Sequence, residues 1–311
     1  MIEYLVTAFF VAQPVQPAMA ASTGVNRTPG AVEITSKRVS FSRDQATFKE
    51  DVAVKHQTMD LRCDELTAHY AQYNGKYTAT RGECMGNVRA MDGERTARGE
   101  RAEFDVPTGM LVVTGNPEAW EPTVHLQGAE VRLTLGNQNF EVKDATVTFQ
   151  SAPLKVKTSQ QSNPVVTHAK RVSGTRGQAV FTGDVVVKHR TMDLRCDKLT
   201  TYLNGPREVS RADCVGNVRA VDGDRRAKGE RARFDVPTGV LVVTGNPEAE
   251  DPMIYFRGAE VRMTLGGQSF EGDDATVVFK TAPLKEQQRK RKGTPGGAVD
   301  DTDKPGGTKQ P

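Results

Sequence analysis

Aromatic residues are scarce in this chain: they make up 6% of its 311 positions, with a single tryptophan. A core of ordinary density must therefore be assembled from Val, Leu and Ala. Long apolar runs are missing as well. None reaches the roughly 18 residues a spanning helix needs, which argues against an integral helical membrane protein. No strong charge of one sign is present. The formal net charge is +3, and residues 31–152 carry 14 basic and 18 acidic groups against 18 and 16 in residues 163–284. No part expected to fold has the basic excess of a duplex-DNA binder, so no nucleic-acid partner is expected. Cysteines number four. No C-x₂-C pair, phosphate-cradling P-loop or nucleophile–base pair is visible, so no cofactor is expected and an enzyme, such as a hydrolase of envelope glycans, has no support.

What is present begins with a leader. Tyr4–Ala12 is apolar, a Pro-containing spacer follows, and Ala18-Met19-Ala20 offers a small-residue cleavage site. This resembles an export signal over residues 1–20, atypical because no Lys or Arg precedes Arg27. Export to an oxidising compartment is the expectation.

Self-similarity organises the rest. ATFKEDVAVKHQTMDLRCDELT (46–67) returns as AVFTGDVVVKHRTMDLRCDKLT (179–200) with 16 of 22 positions identical. Residues 84–119 return at 214–249 with 29 of 36 identical. The offset falls from 133 to 130 between these blocks. The missing three residues lie in the variable stretch Tyr70–Thr80, opposite Leu203–Ser210, where a hairpin loop shortens at little cost. The repeats are placed at 31–152 and 164–284, joined by a polar linker at 153–163. Residues 285–311, rich in Lys, Gly, Asp and Pro, read as a disordered basic tail.

Inside each repeat the apolar period is two. Ala102, Phe104 and Val106 alternate with Arg101, Glu103 and Asp105, and Val131, Leu133 and Leu135 alternate with Glu130, Arg132 and Thr134. Such alternation builds strands with one apolar and one wet face. Asp92-Gly93, Pro107-Thr108-Gly109 and Gly115-Asn116-Pro117 punctuate them. The fold class is therefore all-β, a sandwich or roll.

The order of motifs is similar to that of the OstA-like family of lipopolysaccharide-transport proteins. The residues that carry the resemblance are Phe181–Val187, Leu194–Leu199, Cys214–Val218, Leu241–Ala249 and Gly258–Thr264, with their first-repeat counterparts. Glu50 stands where the second repeat has the turn residue Gly183. The resemblance implies two tandem twisted β-jellyrolls with an apolar interior that takes acyl chains. It also implies a periplasmic bridge, with a lipopolysaccharide or related glycolipid and other OstA-like proteins as partners, and head-to-tail self-association. Combined with the alternation, it makes Val54, Leu61, Phe104, Val131, Val187, Leu194, Phe234 and Val261 candidate lining residues of a lipid path. The same alternation also fits a solid core, and with it a structural or assembly protein of the envelope.

The cysteines fall at equivalent places, Cys63 with Cys84 and Cys196 with Cys214, 21 and 18 residues apart. Three pairings are open in principle. One bridge inside each repeat is the natural choice, with free thiols or a zinc site as alternatives. His56 and His189 share a repeat position, and a base that occurs twice without a nucleophile reads as structural. The carboxylates Asp92, Glu94, Asp222 and Asp224 read as solvated turn residues. Arg225, Arg226, Lys228, Arg231 and Arg233 read as a wet face with cross-strand ion pairs, or alternatively as a surface for anionic headgroups or an acidic partner. The short linker holds the units close, so Val165–Val172 is expected to extend the sheet of Ala145–Phe149 into one continuous sheet pair.

Overall fold

The computed structural model describes residues 32–149 and 164–280, apart from residues 57, 135–138, 176, 205–208 and 268–269. The leader, the linker and the tail expected from the sequence lie outside the described residues. Every regular element within them is a strand. The first repeat supplies β1 (Glu33–Thr35), β2 (Arg38–Phe41), β3 (Gln45–His56), β4 (Met59–Tyr73), β5 (Lys76–Asp92) and β6 (Arg95–Asp105). It continues with β7 (Met110–Thr114), β8 (Glu118–Glu121), β9 (Val124–Gln127), β10 (Glu130–Thr134) and β11 (Phe140–Phe149). The second supplies β12 (Val165–Gly174), β13 (Gln178–His189), β14 (Met192–Leu203), β15 (Val209–Asp222) and β16 (Arg225–Asp235). Then come β17 (Val240–Thr244), β18 (Glu248–Glu250), β19 (Ile254–Arg257), β20 (Glu260–Thr264), β21 (Phe270–Asp273) and β22 (Thr276–Phe279).

The long strands do not lie in one plane. Each changes register near its middle: β3 and β4 between Lys49 and Val52, β4 and β5 between Arg62 and Glu65, β5 and β6 between Met85 and Val88. A bulge bends the strand that carries it. On one side of this crease β6 pairs through Arg101–Asp105 with β7; on the other it pairs through Thr96–Arg98 with β8. The split continues. β7 leads to β10 and the first half of β11, whereas β8 leads to β9 and its second half. Each long strand thus contributes one half to each of two layers. The layers face one another, since the His56 ring lies 6.2 Å from Phe104 across the interior and Phe149 lies 6.2 Å from Phe181. This is the creased, twisted β-jellyroll, and the second repeat builds it again.

The sequence explains the crease. In β5, Gly86 and Asn87 both take left-handed backbone, φ 78° and 48°. A Cβ on Gly86 would stand 2.4 Å from Asp64 Oδ2, so only glycine fits. Asn87 Nδ2 donates to that same Asp64 oxygen at 2.8 Å. Asn217 and Asp197 repeat the bond at 2.8 Å. The "CD" and "GNV" motifs are therefore the two sides of one bend. In β3 the corresponding bend is made by Glu50 and Asp51, at φ 64° and 54°, where β13 has Gly183 and Asp184. Glu50 is the misfit, a β-carbon in a conformation that glycine takes freely. Glu50→Gly should raise stability by about 1 kcal/mol, measured by urea unfolding. The exposed pairing of Glu50 with Arg38 offsets little of this.

The two repeats are one sheet. β11 pairs with β12 over its full length, from Phe140 opposite Gly174 to Phe149 opposite Val165, and the ladder skips Asp144 and Lys170 at the crease. Both layers therefore cross the junction without a break, as the short linker led us to expect. Thr167 and Val172 of β12 and Val142 and Val147 of β11 are buried there. Arg171 and Glu141 are ion-paired on the outside at 3.3 Å.

The two ends are different. Among the described residues, β1 and β2 pair with β3 alone, and β21 and β22 pair with β20 and β19 alone. Lys37-Arg38-Val39-Ser40 repeats as Lys170-Arg171-Val172-Ser173, so β1 and β2 are the first-repeat counterpart of β12. β21 and β22 are likewise the counterpart of β11. Val147 is 1% exposed, but its equivalent Val277 is 42% exposed, and Phe279 is 72% exposed. What β12 covers at the junction is bare at the C-terminal edge.

Candidate functional site

The eight candidate lining residues are all buried and belong to one hydrophobic cluster. Val54, Leu61, Val187 and Leu194 come from the layer that holds β1, and Phe104, Val131, Phe234 and Val261 from the layer that holds β2. The cluster runs through both repeats. A cavity in the second unit, between Met192, Ala220 and Asp222 on one layer and Phe234, Leu241 and Met263 on the other, measures about 10 Å³. That is the lower limit for one water. At this place in the second unit the two layers leave little room between them.

Each unit carries its own disulfide, Cys63–Cys84 and Cys196–Cys214, with Cα atoms 5.8 and 5.9 Å apart. Both bridge neighbouring strands beside the crease and face the core. No free thiol remains, which excludes the zinc reading. Among the described residues no group of His, Cys, Asp and Glu is placed to hold a metal ion.

The carboxylate reading is corrected. Asp222 is not a solvated turn residue, because its side chain is 4% exposed and its ion partner Arg225 is 7% exposed. Asp222 Oδ1 accepts from Thr191 Oγ1 at 2.5 Å, and Oδ2 accepts from Arg225 and from the Gly266 amide at 2.9 Å. Arg225 also donates to the Thr264 carbonyl at 2.9 Å and lies 5.9 Å from the Phe270 ring centre. Thr191, Asp222 and Arg225 sit at the hairpin ends of one layer, Thr264, Gly266 and Phe270 at the end of the other. The cluster joins the layers at the end away from the crease. Burial is affordable only because both charges are paired and hydrogen-bonded. In the first unit Thr58, Asp92 and Arg95 repeat the set, with Thr58 donating to Asp92 at 2.6 Å, but Asp92 and Arg95 are 14% and 18% exposed. The loop opposite them, residues 135–138, lies outside the described residues.

Arg225 aside, the basic strand face is the wet, paired surface expected. Lys228 meets Glu248 at 2.8 Å, Arg226 meets Glu250 at 3.8 Å and Arg233 meets Asp213 at 3.5 Å. Glu248 is lowered to about 2, chiefly by its bond from Lys228, then by Tyr255 and Arg257.

The two histidines are structural. His56 Nδ1 is buried without a hydrogen-bond partner among the described residues, beside Phe104. His189 is 5% exposed, and burial, with a smaller contribution from Arg190, holds its pKa below the usual value. A base whose folded pKa is depressed resists protonation in the fold but not in the unfolded chain. The penalty is absent above the unfolded value of about 6.5 and grows as pH falls below it. Unfolding free energy should therefore drop between pH 7.5 and pH 5.5, and His189→Gln should flatten that slope, as read by denaturant titration at each pH. One cluster went unnoticed in the sequence. Trp120 stacks on His125 at 5.2 Å, with Arg98 4.6 Å from its ring centre, and the lone tryptophan was the only signal.

A two-layer, edge-open β structure with one apolar cluster running through both units is the class the described residues define. Comparison sharpens that class. Residues 32–163 and 164–269 each match the family described as LptA/(LptD N-terminal domain) LPS transport protein. The chain belongs to this family. It is 27% identical over 97 residues to the LPS-assembly protein LptD of Pseudomonas fluorescens, covering 31% of this chain and 10% of that protein. The chain thus spans about a tenth of that relative's length. Among solved structures, LptH of Pseudomonas aeruginosa, the LptA homologous periplasmic component of the lipopolysaccharide transport device, aligns with a TM-score of 0.34 and 10% identity. That alignment covers 44% of this chain and 94% of LptH.

Proposed function

We propose that this chain is a periplasmic segment of a lipopolysaccharide-transport bridge, which shields acyl chains between its two layers while they pass along the interior. The observation that supports this most directly is the unbroken pairing of β11 with β12 in both layers. It makes one interior out of two units, and a transported chain needs an uninterrupted apolar wall. Each CH₂ moved out of water contributes about 0.8 kcal/mol, so the walls need no covalent chemistry. The bare edges at β1–β2 and β21–β22 suit other units of the same kind, including a second copy, because unpaired edge strands join through main-chain hydrogen bonds.

A photo-crosslinking residue at Phe104 or Phe234 should label lipopolysaccharide in cells, while one at the outward Arg101 or Arg231 should not. Equal labelling inside and outside would defeat the carrier reading. The small volume between the layers at Met192, Phe234 and Met263, about 10 Å³, favours a second reading, a solid structural element whose edges alone matter. Mass spectrometry of lipid extracted from the natively purified protein separates the two, since a scaffold carries no stoichiometric lipid.

A further inference from the structure

We infer that Asp222 and Arg225 form a latch across the mouth of the second unit, released when an anionic phosphate headgroup replaces the Asp222 carboxylate on Arg225. The inference rests on the carrier reading, and names the ligand group and the residues that would meet it.

The position comes first. The crease closes one side of the two-layer interior, at the bulges between Val215 and Val218 and between Arg195 and Lys198. The opposite side is where the strands end, and there Arg225 and Asp222 of one layer reach Thr264 and Gly266 of the other. A molecule entering from the side must part these contacts. Directly behind them lies the small cavity bounded by Asp222, Met192, Phe234 and Met263. The latch therefore borders the apolar interior rather than bulk solvent.

The chemistry comes second. A guanidinium binds a carboxylate or a phosphate through the same planar fork, so one acid can replace the other without changing the cation. A phosphorylated amphiphile would leave its phosphate at the rim beside Arg225 and place its chains among Met192, Phe234 and Met263. Asp222, once displaced, returns to the solvent its turn already borders. The other strand-face cations, such as Lys228 and Arg226, sit outside the layers with Glu248 and Glu250. The first unit holds the same residue types in a more exposed pair, Asp92 and Arg95.

The test uses the full chain with a fluorescent diphosphorylated glycolipid, its dephosphorylated counterpart, and inorganic pyrophosphate. Asp222→Asn loosens the latch for either lipid and also removes the charge that competes for Arg225, so it should tighten binding of the diphosphorylated form by about tenfold more than that of the dephosphorylated form, the worth of one charge-assisted hydrogen bond. Arg225→Gln should erase the preference between the two lipids. Arg225→Lys, which keeps the charge but loses the fork, should retain part of it. Variants that shift both lipids alike, or a phosphate preference that survives Arg225→Gln, would overturn the latch. If the wild type binds neither lipid, the carrier reading fails and the latch is judged separately by hydrogen exchange at the Gly266 amide. Pyrophosphate should speed that exchange in the wild type and not in Arg225→Gln; unchanged exchange in the wild type overturns the latch.

Discussion

Replacing Cys63 and Cys84 together by alanine should lower the unfolding free energy by about 3 kcal/mol, and the Cys196/Cys214 pair by a similar amount. Each bridge closes a loop of about 20 residues, and its loss returns that closure entropy to the unfolded chain. The position magnifies the effect. Both bridges lie at the crease, where the β4–β5 and β14–β15 ladders skip a register and main-chain bonds are interrupted. The bridge holds the two strands where the hydrogen bonds do not. Removing both would cost about 6 kcal/mol, comparable to the whole stability of many domains. Denaturant unfolding of the two double variants and the quadruple variant measures this. Values below 1 kcal/mol for each pair would show that the bridges staple strands already fixed by packing.

Val277→Asp should abolish association between copies and leave the isolated chain as stable as before. The internal junction supplies the template. Transferring the β11–β12 register to the outer edges places Val277 opposite Ile34, Gly272 opposite Val39 and Asp273 opposite Arg38. The counterpart of Val277, Val147, is fully covered by the neighbouring unit, so an aspartate there would bury an unpaired charge on assembly. That is worth several kcal/mol, a loss of more than about 100-fold in association. In the single chain Val277 is already open to water and the substitution costs little. The template carries a further distinction. At the internal junction Lys143 faces Arg171, a like pair, whereas between copies Asp273 would face Arg38, an opposite one. Asp273→Arg should weaken association, and adding Arg38→Asp should restore it. Sedimentation over a range of concentrations reads all three. If Val277→Asp associates like the wild type, copies do not join through this edge.

Much of this architecture is legible in the residues because its signals are local and occur twice. The alternation of Ala102, Phe104 and Val106 with Arg101 and Glu103 selects the strand and its inner face, and duplication pairs each cysteine with its own partner. The crease is written less openly. Gly86-Asn87 reads as an ordinary turn until Asp64 is found beneath it, twenty-two residues earlier in the chain. Asp222 and Arg225 were misread for a related reason. Their hairpin is polar by composition, and only the arrival of Thr264 and Gly266 from the other layer, about 40 residues on, takes them out of water. The identity of inner residues was readable from period two, but how closely they pack was not, since alternation is the same for a filled core and an open trough.

Among the described residues the ladder that runs from β2 to β21 and from β1 to β22 has sixteen strands in each layer. At about 4.8 Å per strand its fifteen steps measure roughly 70 Å, a distance counted in strands. Hairpins point across that direction. The three residues lost between Tyr70–Thr80 and Leu203–Ser210 shorten a finger at the side and take nothing from the length. Duplication, by contrast, doubles it without redesigning any contact but β11 on β12. The chain behaves as a ruler whose graduations are strands, able to vary freely in width while its reach changes only by whole units.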